Sequence, residues 1–265
     1  MFEDYHFSKL FKAPQDVYPE NDPLDMELVD KLRPVVKFLY RYFQPTYHGL
    51  ENIPKQGPAL LVGNHGIFGL DAPIIFMAIY ESVERMPRGL GDYHLFLDPV
   101  SRKFWTKMGA LSGTPENAIR FLEAGNLVNV YPGGARDAMK GPEGRYKLHW
   151  EKSYGFIEVA MKTGVPLILH MGIGTDDTYR ILGKMNLIAR IFGHSKYAIP
   201  LPLGWGLLPR PVKFTYYISR PIQLEGSPED ASDRGLVERN HQRVWDIGKQ
   251  MIEKGLERRK SVWFG

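Results

Sequence analysis

Short apolar runs bounded by turn residues punctuate the chain, and between them the apolar positions step by three and four. Ala59-Leu60-Leu61-Val62-Gly63 follows Pro58, and Leu127-Val128-Asn129-Val130-Tyr131 follows a helical stretch that stops at Gly125. Val165-Pro166-Leu167-Ile168-Leu169-His170 follows Gly164, and Val212–Ile218 is a fourth such run. Runs of this length predict buried strands. Leu28, Leu32, Val35, Val36 and Leu39 predict an amphipathic helix from Asp25,. Pro34 is expected to bend or restart it, and Gln44-Pro45 to end it. Further helices are expected from about Ala72, over 115–124 (Thr114 as N-cap, Pro115 at the first position), over Tyr154–Lys162, and from Ser227 to Lys260,. Strands alternating with helices predict an α/β fold: one domain with a mostly parallel central sheet flanked by helices. Residues 1–45 read as an irregular leader followed by the amphipathic helix, and 46–265 as the main domain.

Composition narrows the functional classes. The chain has 265 residues with 43% hydrophobic and 12% aromatic positions, enough to fill a sizeable core,. Without cysteine there is no disulfide framework, thiolate metal site or cysteine nucleophile,. The net charge of +4 is too mild for the basic stripe of a nucleic-acid binder,. The amino terminus lacks the basic and apolar segments of a signal peptide, and no run of about 20 apolar residues predicts a spanning helix. Lys31, Arg33 and Lys37 precede Phe38-Leu39-Tyr40-Arg41-Tyr42-Phe43. That mixture suits a helix at a lipid interface and equally a core-packing helix with a solvated face. Uncharged Tyr197–Pro209 reads as a buried loop by default, with an acyl channel or a lipid contact as the alternatives. His170 reads as a core histidine.

The candidate chemistry sits where the first two runs end, because sites in such sheets form at the carboxyl ends of strands. Gly63-Asn64-His65-Gly66-Ile67-Phe68-Gly69-Leu70-Asp71 follows the first run. Six residues turn an ideal helix through about 240°, so His65 and Asp71 cannot share a helical face. The intervening glycines permit a tight loop that brings the carboxylate back onto the imidazole. Such a carboxylate sets the tautomer and leaves the second ring nitrogen as a base. The other open reading has Asp71 capping the next helix and His65 as an ordinary loop histidine. After the second run, Pro132-Gly133-Gly134-Ala135-Arg136 offers close-approaching amides for an oxyanion and a planar cation for phosphate, or else an ordinary turn with a solvated arginine.

Taken in order, Asn64-His65…Asp71, Tyr131-Pro132-Gly133-Gly134-Ala135-Arg136 and Gly164-Val165-Pro166-Leu167-Ile168 resemble the blocks of the glycerolipid (lysophospholipid) acyltransferase superfamily. Gly49–Pro58 and Lys147–Phe156 are similar to its flanking segments, and the likeness spans roughly residues 46–225. Two departures stand out. The superfamily places four residues between the histidine and the aspartate, where this chain has five. It also carries glutamate where Gly133 stands. Both resemble the branch of diacylglycerol acyltransferase-like and phytyl-ester-synthase-like proteins.

The resemblance implies a glycerol-3-phosphate acyltransferase-like fold, with 46–265 as the acyltransferase domain. It implies His65 as general base, Asp71 as its orienting partner, Gly133, Gly134 and Asn64 as oxyanion and substrate contacts, and Arg136 on a phosphate. No metal or cofactor is implied; acyl-CoA or acyl carrier protein serves as co-substrate. The expected partners are an acyl thioester donor, a lipid acceptor and a membrane surface, with the protein peripheral on the cytoplasmic face. The acceptor is a lysophospholipid or other glycerolipid; the alternatives are diacylglycerol or a long-chain alcohol, a thioesterase using water, and a non-catalytic lipid-binding tether.

Overall fold

The computed structural model describes residues 22–185, 199–204 and 208–263. Nine strands and seven α-helices are described. They are α1 (Met26–Phe43), β1 (Thr46–His48), β2 (Ala59–Gly63), α2 (Ala72–Val83), β3 (Arg88–Gly91), α3 (Pro99–Lys107), β4 (Ala110–Ser112) and α4 (Pro115–Glu123). Then come β5 (Leu127–Val130), α5 (Ala135–Ala138), α6 (Gly155–Thr163), β6 (Leu167–Ile173), β7 (Arg180–Met185), β8 (Ile199–Leu203), β9 (Thr215–Ile218) and α7 (Arg234–Arg258).

Seven strands form one sheet in the order β1-β9-β6-β2-β5-β3-β4. Every neighbouring pair is parallel except β6 and β9. The three most apolar runs therefore occupy the middle, where a strand is covered on both faces. Leu60, Val62, Val128, Leu167, Leu169 and Met171 pack beneath α4, α6 and α7. Leu61, Leu127 and Ile168 face the other way, against α2 and Phe43 at the end of α1. The α/β expectation holds: one mostly parallel sheet lies between two helical layers.

Details differ from the sequence expectations, each for a physical reason. Helix α1 runs through Pro34 without restarting; only the one hydrogen bond that proline cannot donate is lost,. The third strand starts at Leu167, after Pro166, whose carbonyl accepts from the Leu60 amide but whose own nitrogen has no hydrogen to donate, and continues to Ile173,. Only Thr215–Ile218 of the fourth run is strand, and it returns antiparallel to β6. The final helix begins at Arg234, where the Asp233 carboxylate caps the amides of Gly235 and Leu236,. A separate short turn of 3-10 helix covers Pro228–Ser232. Ile199–Leu203, inside the segment read as a buried loop, is instead a strand paired antiparallel with β7. The rest of that segment at 197–198 and 205–207, and the leader at 1–21, lie outside the described residues. Among the described residues no helix is long and apolar enough to cross a membrane.

The arrangement places the site. In the parallel register Val62 stands beside Val130, and Gly63 beside His170. The carboxyl ends of β2 and β5 therefore open side by side on one edge of the sheet, next to the middle of β6, which runs on to Ile173.

Candidate functional site

The chain leaves β2 at Gly63 and folds into a tight loop before α2. Phe68 and Gly69 both adopt left-handed backbone there, with φ of 58° and 70°. Gly69 lies so close to His65 that a Cβ would stand 3.1 Å from Cε1 of the ring, so both its φ and its missing side chain are needed,. The loop returns Asp71 to the imidazole: Nδ1 of His65 is 3.0 Å from Oδ1 and 3.2 Å from Oδ2. The Gly66 N–H donates to Oδ1 at 2.9 Å. Asp71 makes no side-chain cap to α2; its carboxylate turns back to the imidazole instead.

Asp71 is 1% exposed, and His65 keeps 18% of its side chain open. Nε2 of His65 has no protein partner among the described residues. Burial alone would raise the Asp71 carboxyl. The charge and hydrogen bond of His65, the Gly66 amide and the Tyr131 hydroxyl outweigh it and hold the pKa below the ordinary aspartate value,. The carboxylate thus stays ionised against the ring it orients.

Tyr131 forms the floor of the pair. Its ring stacks on His65 with centroids 4.0 Å apart and planes 13° apart. Its hydroxyl faces Asp71 without reaching a full hydrogen bond. Burial, then the negative field of Asp71, pushes that phenol well above its usual value, so it remains protonated. Beneath it, His170 meets Tyr131 edge-on at 5.7 Å and donates from Nε2 to Oδ1 of Asn129 at 2.6 Å. Burial lowers His170 to about 4, which keeps it neutral. A Cβ on Gly63 would stand 2.2 Å from this ring, so a glycine ends β2. His170 is the core histidine expected, yet it also supports the site from below.

The Pro-Gly-Gly block lies alongside, with α5 packed on the turn at 67–69. Gly134 donates its N–H to the Tyr131 carbonyl at 2.8 Å, closing a turn. Of the two amides expected to cradle an oxyanion, Gly133 alone is without a partner among the described residues. Arg136 is exposed, but its Nη2 donates to the His149 carbonyl (2.8 Å) and to Oγ of Ser153 (3.2 Å). It ties down the loop before α6. Asn64 is buried, and its amide pairs with Gly172 in both directions, at 3.0 and 2.7 Å. That geometry makes Asn64 a brace between the His65 loop and β6, in place of the expected substrate contact.

Sequence patterning missed other members of this edge. Asp137, fully buried, pairs with Nδ1 of His149 at 2.7 Å. Lys140, also buried, pairs with Asp176 at 2.9 Å. Burial would lower the Lys140 ammonium, but Asp176, Asp137 and Asp71 raise it instead. Nothing in the local pattern hints at these residues, because their partners lie 12 and 36 residues further along, in the loop before α6 and in the 3-10 turn after β6. Among the described residues, no three histidine or carboxylate side chains gather as a metal site.

On the opposite face of the sheet, the same edge opens into a cavity of about 280 Å³. Leu60, Leu90, Val130, Phe156 and Val159 make it apolar, and Tyr131, Pro132 and Gly134 form its rim. The polar pair and the apolar cavity are therefore neighbours across the end of β5. A base oriented by a carboxylate, with an apolar recess beside it, suits proton removal from a hydroxyl on a molecule carrying a hydrocarbon chain.

Comparison with known proteins bears on the family and the fold. The Acyltransferase family profile matches residues 44–170. An uncharacterized protein of Mycobacterium tuberculosis is 30% identical over 243 residues, covering 88% of this chain and 68% of its own length. The "DGAT1/2-independent enzyme synthesizing storage lipids" of Homo sapiens is 30% identical over 178 residues, 67% of this chain and 53% of that enzyme. The crystal structure of the 1-acyl-sn-glycerophosphate (LPA) acyltransferase from Thermotoga maritima superposes with a TM-score of 0.57 at 20% identity. It covers 88% of this chain and 81% of that one, a likeness of fold.

Proposed function

Because the chain belongs to the glycerolipid acyltransferase superfamily and is an O-acyltransferase, we propose that it moves a fatty acyl group from an acyl thioester to a lipid hydroxyl, with His65 as general base. The observation that carries this reading is the 3.0 Å contact between His65 and the buried, ionised Asp71, with Nε2 left open.

Asp71 holds the proton on Nδ1, so Nε2 carries the lone pair and takes the proton from the acceptor hydroxyl. The oxygen attacks the thioester carbonyl, and the tetrahedral oxyanion is met by the Gly133 amide. The carbon–sulfur bond then breaks, and the thiolate leaves with the proton returned by the His65 imidazolium. Products are a lipid ester and a free thiol. The donor in this reading is acyl-CoA or acyl carrier protein, and the apolar cavity beside Tyr131 receives hydrocarbon.

A neutral glycerolipid acceptor is the second reading, favoured by Arg136. Its guanidinium bonds the 149–153 loop, and that reduces its capacity for a substrate phosphate,. The similar human enzyme is named for storage-lipid synthesis. An acceptor panel with labelled acyl-CoA, read by lipid mass spectrometry, separates the two. Label on diacylglycerol or a long-chain alcohol supports the neutral reading. Label confined to lysophosphatidic acid or another lysophospholipid supports the phosphate-bearing one. Free fatty acid released without regard to acceptor would replace both with a thioesterase.

A further inference from the structure

The β7–β8 ribbon carries its leucines on the outside. Arg180 pairs with Leu203 and Ile181 with Pro202, and the register shifts between Ile181 and Lys184; Leu201 and Leu203 alternate onto the face of Arg180, and Leu182, at the shift, is exposed as they are,. Leu182 is 65% exposed, Leu201 40% and Leu203 45%. The other face is the packed one: Ile181 is buried against Ile67 of the His65 loop and against Tyr179. Leu208, 66% exposed, lies at the ribbon's exit, where a Cβ on Gly204 would touch its carbonyl.

A positive cluster borders these leucines. Arg145 and Arg259 both pair with the Asp177 carboxylate, and Arg210 donates to the Asp177 carbonyl at 2.5 Å. The neighbouring Asp176 is already neutralised by Lys140. The Asp177 carboxylate therefore faces two guanidiniums and its backbone carbonyl a third, with Arg180 close enough to add its own field at Arg210. Arg145 keeps 49% of its side chain in solvent, and Nε of Arg210 is buried with no partner among the described residues. The apolar surface continues from here to α1: Tyr42 donates to the Pro209 carbonyl at 2.5 Å, and exposed Phe38 stacks on Tyr42.

We propose that the outer face of the β7–β8 ribbon, with Leu208 and the Arg145/Arg180/Arg210 cluster, docks on an anionic phospholipid bilayer. The leucines enter the acyl boundary, and the arginines take headgroup phosphates that complete their charge balance. Guanidiniums in excess of their carboxylate, beside outward-facing aliphatic residues, match a surface whose apolar and phosphate layers are adjacent,. Because the inner face of the ribbon packs on Ile67, docking brings the His65 loop to the layer in which a lipid acceptor lies. The surface stands independently of the acyl-transfer reading, though that reading gives it a purpose.

Flotation with vesicles of phosphatidylcholine, alone or mixed with phosphatidylglycerol, tests this. The comparison is wild type against Leu182→Gln/Leu203→Gln and Arg145→Gln/Arg180→Gln, all at exposed positions outside the core. Wild type is expected on both vesicles, more strongly on the anionic ones. The leucine pair should weaken partitioning on both by about tenfold. The arginine pair should remove only the anionic excess. Turnover of a water-dissolved short-chain donor and acceptor should be unchanged in both variants. Equal partitioning of all three proteins would overturn the proposal. So would a wild type that ignores vesicles and self-associates through the leucines. If wild type turns nothing over while the vesicle pattern holds, the acyl-transfer reading fails and the docking face stands.

Discussion

Tyr131 shows how much of this site depends on one side chain that no motif singles out for chemistry. Its ring holds the imidazole plane of His65 from below, and its hydroxyl faces the carboxylate that orients the same imidazole. The two contributions can be separated. Tyr131→Phe keeps the stacked ring and should cost only a few-fold in kcat. Tyr131→Ala leaves the imidazole unsupported and should lower kcat by about a hundredfold with little change in KM, as small misplacements of a reacting group do. Steady-state kinetics on both variants checks this; equal losses would show that the ring does not position the base.

His170 makes a second residue-level prediction, with a sign that follows from its environment. Its folded pKa of about 4 lies below the model-peptide value of 6.5,. The unfolded chain thus takes up a proton near pH 6.5, while the folded protein resists until about pH 4. The stability from burying a neutral ring is complete above 6.5 and is lost as the pH falls toward 4, by about 3 kcal/mol in total,. Urea unfolding across that range should show a steeper decline for wild type than for His170→Gln. Parallel curves would mean that His170 is already charged in the fold.

At the scale of elements, legibility followed burial. β2, β5 and β6 were readable because central parallel strands are apolar on both faces and therefore appear as short unbroken runs. β3 (Arg88-Gly89-Leu90-Gly91) and β4 (Ala110-Leu111-Ser112) lie at the flank, are short, and give no such run. β7 and β8 escaped notice for a different reason: their leucines point outward, and prolines interrupt β8. The site divided along the same line. His65 and Asp71 are six residues apart, and the Pro-Gly-Gly block is contiguous, so chain-local reasoning could reach them. The Asn129–His170 and Lys140–Asp176 partnerships, the bracing of Gly172 by Asn64 and the stacking of Tyr131 on His65 depend on strand register and crossovers. Spacing along the chain carries none of that information.

For the whole molecule, the sheet separates the labour of the site. The α2 side of the carboxyl edge holds the buried, charged pair, and the α4/α6 side holds the apolar cavity, with the end of β5 between them. An amphiphilic substrate needs that division, since its reacting hydroxyl and its hydrocarbon require opposite surroundings. The central claim is that His65, oriented by Asp71, deprotonates the acceptor. The most direct measurement is transfer of labelled acyl groups to a lipid alcohol by wild type and by His65→Ala of equal thermal stability. The account predicts label on the lipid with wild type and a loss of at least about a hundredfold in kcat with the variant. Transfer by His65→Ala at the wild-type rate would contradict it.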